Sequence, residues 1–379
     1  MRILHFIEDL NPARGGPQAV AERLGAAQAL AGHEVTVLSY SDPDAKAAID
    51  ASLRQIPGWP QVRVRLLAPK TRREAWLAPD IRATVRELIP HLDVLHFHGV
   101  WELQFAFMAS IARAARVPYV ITPHGMLDPW GLSQKRLKKK TAMTLFVRRT
   151  LNGAAFLHLL NPIEKQSLAA LRLKSPVEVV ANGVFLDEID RPIATAPPGG
   201  RYVLFMGRLH YKKGVDVLAE AFALVAARVA DVRLVVAGPD DGALDDLNRR
   251  VAAHGLQGRV DVAGPVYGEQ KWSLLRGAAC FCLPSRMEGF SIAITEALAS
   301  RVPAVISQEC NFPEAGAAGA ASVVRLTAAD VAGGITRVLD DEPAARAMGE
   351  RGRALVEARY TWPAVARQMV EAYGRHPAR

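Results

Sequence analysis

The sequence predicts an α/β protein made of two successive doubly wound, Rossmann-like units, and three observations predict it. Short apolar runs alternate with longer segments of helical period, the rhythm of a parallel sheet covered by helices on both faces. The rhythm lapses over residues 187–200, DEIDRPIATAPPGG, where Pro and Gly displace periodicity as they do in an interdomain linker. It then begins again, and 379 residues at about 100 to 200 per domain leave each half enough chain for its own core. The expected domains are 1–186 and 201–360, joined by 187–200.

The first unit opens with RILHFI at 2–7, a helix-like stretch from Pro17 to Ala31 and the run EVTVLS at 34–39. It continues with DVLHFH at 93–98, a helical stretch from Leu103 to Ala115, PYVIT at 118–122, a helical stretch from about Leu132 to Asn152, and VEVVANG at 177–183. The second unit runs through RYVLFMG at 201–207, a helix from Val215 to Val229, VRLVVAG at 232–238, a polar helix over 241–254, RVDVAG at 259–264 and ACFCLPS at 279–285. A helix from Ile292, the runs PAVIS at 303–307 and ASVV at 321–324, and helical stretches from 327 onward complete it. Such sheets hold ligands beyond the carboxyl ends of their strands, so chemistry is sought just after each apolar run.

Lys and Arg number 47 against 38 Asp and Glu, a formal charge of +9, and half the residues are hydrophobic. That composition excludes a largely disordered chain and a disulfide-stapled miniprotein. The stretch 129–150 holds seven basic residues (Lys135, Arg136, Lys138, Lys139, Lys140, Arg148, Arg149) and no acidic one, and the remainder of the chain is only +2. The charge excess therefore belongs to one segment. Cys280, Cys282 and Cys310 cannot all pair within one chain and lack the spacing of a zinc site, so they read as reduced thiols. The N-terminus MRILHFIEDLNP is too short and too soon acidic for a signal peptide, and no apolar run approaches the roughly 18 to 20 residues that span a bilayer. A soluble, cytoplasmic protein is expected.

Gly15 and Gly16 follow the first strand and precede a helix opening at Pro17, a place where backbone N–H groups can approach a phosphate. In FMGRLHYKKGVDVL, Gly207 and Arg208 end a strand and Lys213 precedes a helix; a guanidinium and an ammonium converging there suit a diphosphate whose charge grows as it leaves an activated sugar. In SRMEGFSIAITEALAS, Glu288 lies before a helix that Ser291 can cap, and Glu296 sits about one turn inside it. Carboxylates there can accept hydrogen bonds from sugar hydroxyls, as an acidic residue grips a ribose in dinucleotide sites.

Gly15-Gly16, HFHGVW, ITPHGMLDPW, ANGV at 181–184, GRLHYKKG, the Glu-x7-Glu spacing from Glu288 to Glu296 and the terminal YTWPAVARQMVEAY together resemble glycosyltransferase family 4 over essentially the whole chain. The resemblance implies a GT-B fold, two Rossmann-like domains facing a central cleft, with 1–186 on the acceptor side, 201–360 binding the donor, and a C-terminal helix of about 361–379 packing back on the first domain. It implies a retaining transfer from a nucleotide-sugar donor to a glycan or lipid-linked acceptor, in surface polysaccharide or glycolipid assembly, with no cofactor and no obligatory metal. Arg208 and Lys213 match the diphosphate-stabilising pair, Glu288 the glutamate beside the donor sugar, and Glu296 the one holding the ribose. Gly16 matches the glycine loop facing the phosphates, with Gly207, Phe290 and Ser291 also on the donor side. His124 matches the histidine near the reacting sugar. Gly15, His98 and Trp101 fall on the acceptor side.

His96 and His98 lie two apart on a strand and could suggest a metal pair, but no cysteine or carboxylate cluster completes a site. His98 stands at the strand end and His96 deeper, as a core histidine. His124, after Pro123 at another strand end, is less easily explained by packing. Arg301 stands where many relatives carry a Gly-Thr-Pro-like turn, which puts that loop in question.

The segment 134–151 reads as a helix with Leu137, Thr141, Leu145 and Phe146 near one face, the lysines opposite and Trp130 flanking it. Its charge suits a solvated face, an anionic membrane surface docked by Lys135, Arg136, Lys138, Lys139 and Lys140, or nucleic acid. No nucleic-acid module accompanies it. The resemblance shifts weight to a peripheral position on the inner face of the plasma membrane. Two rival functions remain: a nucleotide-sugar epimerase, which needs no acceptor, and a non-catalytic binder of sugar nucleotides or anionic polymers.

Overall fold

The structure, a computed structural model, describes residues 1–12 and 16–378, with Trp130 in its backbone alone. The chain divides into one unit of Met1–Asn182 with Trp362–Arg379 and another of Gly183–Thr361. In the first, β1 (Arg2–Phe6), β2 (Glu34–Tyr40), β3 (Arg63–Leu67), β4 (Val94–His98), β5 (Tyr119–Thr122), β6 (Phe156–Leu159) and β7 (Val177–Val179) form a parallel sheet in the order β3-β2-β1-β4-β5-β6-β7. In the second, β8 (Arg201–Met206), β9 (Val232–Ala237), β10 (Val260–Gly264), β11 (Cys280–Leu283), β12 (Ala304–Ser307) and β13 (Ala321–Val324) run parallel in the order β10-β9-β8-β11-β12-β13. Each sheet reverses its direction of growth once, between β1 and β4 and between β8 and β11. These switch points are where doubly wound sheets leave a crevice at the strand ends.

Strands buried on both faces explain the continuous apolar runs: every residue of VLHFH in β4 and CFCL in β11 is buried. β3 and β6 leave weak marks in the sequence. RVRLL in β3 is an edge strand exposed at four of five positions, so arginines interrupt its pattern, and FLHL in β6 is only four residues long. The C-terminal helix Trp362–Arg375 lies against the helix Gly16–Leu30 in the first unit, with Trp362, Met369 and Tyr373 buried.

Residues 187–200 lie inside the second unit rather than between units. Their first part belongs to the helix Leu186–Asp190, whose Asp190 accepts two hydrogen bonds from Arg353, at 2.7 and 2.6 Å. Arg276 donates to the carbonyls of Ile189 and Arg191. Arg301, the doubtful loop residue, adopts φ +60° just past the helix Ile292–Ala299. Its N–H bonds to Leu298 O and that of Val302 to Ala297 O, a Schellman ending in which arginine takes the left-handed position that glycine usually fills.

The basic segment is not one helix. Helix Pro129–Ser133 ends at a break where Lys135 has φ +50°, and Arg136–Ala142, a π-helical turn over Met143–Val147 and Arg148–Asn152 come after it. Met143, Val147, Thr150 and Leu151 are buried, whereas Leu137 and Leu145 are 80 % and 72 % exposed. The expected apolar face is therefore corrected. A π turn spaces its hydrogen bonds at i→i+5 and rotates the next helical turn, so a 3.6-residue count carried across it assigns the wrong face.

Candidate active site

The second unit gathers its chemistry at the switch point between β8 and β11. Gly207 and Arg208 follow β8; Ser285 and Glu288 follow β11. Two glycines make the approach possible. A Cβ on Gly238, at φ +145°, would lie 1.9 Å from Gly207 O, and one on Gly214, at φ +67°, would lie 1.9 Å from Pro284 O. Arg286 then clamps the two loops together. It bonds both oxygens of Asp216 at 2.7 Å, its N–H donates to Lys212 O at 2.7 Å, and its guanidinium lies 3.9 Å from the Tyr211 ring centroid.

Lys213 Nζ consequently sits 2.7 and 2.9 Å from the two carboxylate oxygens of Glu288, with the side chains 22 % and 8 % exposed. The Ser285 hydroxyl also donates to that carboxylate, and Asn311 Nδ2 donates to the Glu288 carbonyl at 2.7 Å. Arg208 is held differently. Its guanidinium is 65 % exposed and reaches Asp241 at 3.1 Å. One cation is thus locked in a partly buried ion pair and the other stands out in solvent.

Glu296 pairs with Lys271 at 2.7 Å, and Lys271 Nζ lies 3.9 Å over the Trp272 ring. Ser291 Oγ accepts from Ile294 N and caps the helix, as its position implied. Phe290 packs on Phe312 and Tyr360, centroids 5.7 and 5.8 Å away. Lys271 and Asn311 escaped the sequence reading because they lie 25 and 23 residues from the groups they hold. Ser285, three residues before Glu288 at a strand end, was legible. Burial pushes the Cys280 and Cys310 thiols up to about 12 and that of Cys282 well above its usual range, which leaves all three protonated and unreactive.

In the first unit the neighbours β1, β4, β5 and β6 bring together five imidazoles. His5 pairs in register with His96, His98 ends β4, His124 follows β5, and His158 lies on β6. Burial lowers His5 and His158 to about 4 and His124 to about 3, and lowers His96 and His98 well below the usual range, so all are neutral near neutral pH. Ligand nitrogens of His5, His96 and His98 lie within 4.8 Å of one another, close enough for an ion. Each of their six nitrogens already makes a hydrogen bond, to another histidine or to Gln28, Thr122 or Tyr373.

His98, expected to line the acceptor side, is 2 % exposed and sits behind His124, to which its Nδ1 bonds at 3.1 Å. Its ring is stacked between those of His96 and His124, with centroids 4.6 and 5.3 Å away. His124 is the half-buried outer member, and its φ of +52° is a left-handed conformation that a non-glycine residue adopts at a cost. Trp101 is half-buried, with Lys139 Nζ 5.0 Å over its ring. That ammonium also donates to Gly131 O at 2.5 Å, which removes Lys139 from the set expected to face a membrane. A Cβ on Gly16 would meet no described atom within 4 Å, while Gly15 and the ring of Trp130 lie outside the described residues. Sequence reading also missed Glu22, which is 2 % exposed on the helix that Gly16 opens; burial raises its carboxyl to about 8.

Two family models match in succession: "Glycosyl transferase 4-like domain" over residues 15–183 and "Glycosyl transferases group 1" over residues 187–355. Among curated proteins, the chain is 25 % identical over 326 residues to the GDP-mannose:cellobiosyl-diphosphopolyprenol alpha-mannosyltransferase of Xanthomonas oryzae, covering 81 % of this chain and 78 % of that protein. It is 28 % identical over 385 residues to the phosphatidyl-myo-inositol mannosyltransferase of Mycolicibacterium smegmatis, covering 95 % and 90 %. Among solved structures, HepE of Anabaena in complex with UDP superposes with a TM-score of 0.77 at 17 % identity, over 99 % of this chain and 100 % of that one. With both halves matched in order and the two parallel sheets in place, the chain belongs to the group 1, family 4 glycosyltransferases of GT-B fold and is a glycosyltransferase.

Proposed function

We propose that the protein transfers a sugar, with retention of anomeric configuration, from a nucleoside-diphosphate donor bound to the second unit to a lipid-linked acceptor received by the first. The observation that carries this reading is the Lys213–Glu288 pair at the β8/β11 switch point, with Arg208 following the end of β8. As the glycosidic bond to the diphosphate lengthens, negative charge accumulates on the leaving oxygens. Arg208, exposed and loosely held, can swing onto them, and Lys213 is positioned without further reorganisation. Glu288 orients Lys213 and presents oxygens towards the donor sugar, whose anomeric carbon becomes electron-poor. Glu296, steadied by Lys271, is suited to the ribose hydroxyls. Side-chain cations supply the neutralisation in this reading, so chelators should leave turnover unchanged.

The relatives' names support a membrane-bound acceptor, since one acts on a diphosphopolyprenol and another on phosphatidylinositol. No helix among the described residues is long and apolar enough to cross a membrane. Surface docking suits such an acceptor, and the exposed Lys135, Arg136, Lys138 and Lys140 beside the outward Leu137 and Leu145 offer charge and insertable side chains together.

The test is a panel of nucleotide sugars, GDP-mannose first, assayed for binding, slow hydrolysis and transfer to polyprenyl-diphosphate glycans and phosphoinositides. Product anomeric configuration is read by NMR. Glu288→Gln is expected to lower turnover about a hundredfold with nucleotide affinity retained. Full turnover of that variant would remove Glu288 from the mechanism, inversion at the anomeric carbon would overturn the retaining reading, and acceptor-independent conversion of the donor sugar would favour an epimerase.

A further inference from the structure

The histidines of the first unit belong to one unbranched hydrogen-bond chain whose direction can be read from its far end. That end is the carbonyl of Val180, which can only accept, so His158 Nε2 must carry the proton that bonds it at 2.7 Å. A neutral His158 then has a bare Nδ1, and the Thr122 hydroxyl, 2.8 Å away, must donate to it. With its single proton spent, Thr122 Oγ1 accepts from His96 Nε2–H at 2.6 Å. His96 Nδ1 is therefore bare and receives the Tyr373 hydroxyl proton at 2.6 Å.

The hydrogen-bond direction carries on across the C-terminal helix. Tyr373 oxygen can now only accept, and Gln28 Nε2 donates to it at 3.3 Å, which turns Gln28 Oε1 towards His5. His5 Nε2–H donates to that oxygen at 2.6 Å, leaving His5 Nδ1 to accept from His98 Nε2–H at 3.0 Å. His98 Nδ1 in turn accepts from His124 Nε2–H at 3.1 Å. Burial keeps every imidazole neutral, so no ring carries a second proton to break the sequence.

We infer that this one-way chain, anchored at Val180 O, holds His124 as its Nε2–H tautomer and presents a bare Nδ1 outward as the acceptor for a sugar hydroxyl. Thr122, Tyr373 and Gln28 are positioning residues in this arrangement: none lies at the outer end of the chain, and each relays which nitrogen is protonated. The C-terminal helix is thereby part of the site's chemistry, because Tyr373 is the link between Gln28 on the helix Gly16–Leu30 and the His96 ring of β4. The inference rests on the reading that His124 faces the reacting sugar, while the tautomer itself does not.

Thr122→Val tests the chain without changing side-chain volume. With no hydroxyl, the original direction would bury His96 Nε2–H without an acceptor, whereas reversal leaves only bare nitrogens unmatched. His96 Nδ1–H would then donate to Tyr373, Tyr373 to Gln28 Oε1 after the amide turns over, Gln28 to His5 Nε2, His5 Nδ1–H to His98 and His98 Nδ1–H to His124, which is left with its proton on Nδ1. Long-range 1H–15N correlation on histidine-labelled protein reads each tautomer, with His124→Gln identifying the His124 signals. Wild type is expected to show Nε2–H at all five rings, and Thr122→Val to move His124 to Nδ1–H with transfer lowered about tenfold or more and donor nucleotide affinity unchanged. Wild-type His124 protonated on Nδ1 would overturn the chain, as would a folded Thr122→Val protein that kept His124 on Nε2–H. A reversed tautomer with unchanged turnover would instead overturn the acceptor role of His124 and leave the chain standing.

Discussion

Acidification from about pH 7 to about pH 5 is expected to cost the first unit up to about 5 kcal/mol of stability. His5, His96, His98 and His158 are at most 2 % exposed and neutral in the folded chain, while in the unfolded chain each titrates near 6.5. Their folded values are depressed, so below about pH 6.5 the unfolded state binds more protons and stability falls with falling pH. At 1.36 kcal/mol per pKa unit, each imidazole costs about 2 kcal/mol more at about pH 5 than at about pH 7, and the four together about 7. Glu22 opposes them, and Glu102 and Glu164, also raised by burial, act in the same direction. The folded value of Glu22 is raised to about 8, so its proton is bound natively and acidification returns about 2 to 3 kcal/mol. The net is comparable with the lower end of a whole domain's stability, about 5 to 15 kcal/mol. Hydrogen exchange measured by mass spectrometry, corrected for intrinsic rates, locates the loss. Amides of β1, β4 and β5 should lose protection between these pH values far more than those of β8, β9 and β11, because His210 and His254 of the second unit are not buried. Equal pH sensitivity of the two sheets would refute the reasoning.

Other substitutions separate packing from chemistry. Gly214→Ala would place a methyl group 1.9 Å from Pro284 O at a left-handed φ, and should destabilise the second unit by about 2 to 4 kcal/mol in urea unfolding while releasing Lys213 from Glu288. Gly16→Ala meets no described atom and lies in the first turn of a helix, so thermal stability should be unchanged or higher by up to about 1 kcal/mol; a fall in transfer activity would then locate a substrate against that backbone. Arg301→Gly should be neutral or stabilise by up to about 1 kcal/mol in the same assay, since it relieves a left-handed arginine at the loss of an exposed ion pair to Glu350. Replacing Lys138 and Lys140 by glutamine together with Leu137 and Leu145 by asparagine should abolish sedimentation with anionic vesicles at low salt, and unchanged binding would exclude this face as the docking surface.

Much of the candidate site is legible in the sequence, because its residues are marked by position along the chain. Arg208 and Glu288 follow apolar runs and Lys213 precedes a helix, and strand ends are where a doubly wound sheet exposes side chains to a ligand. Ser291 declares itself as a cap by standing one residue before a helix. The basic segment failed for a local reason, since a break at Lys135 and a π turn after Ala142 change the phase on which a helical face is counted.

The periodicity of this sequence was enough to determine two parallel α/β units and which residues stand at their strand ends, since both follow from spacings of two and about 3.6 residues. Which partners those residues hold was decided by tertiary structure. Lys213 stands out in the sequence as a cation before a helix, but its tie to Glu288, 75 residues away, does not. His96 and His98 looked like a pair on one strand, yet the His96 proton is placed by Thr122 on β5, and the His98 proton by way of Gln28 and Tyr373, the latter 277 residues from His96. Hydrogen bonds act over about 3 Å whatever the separation in sequence, so only the folded chain can say which donor meets which acceptor.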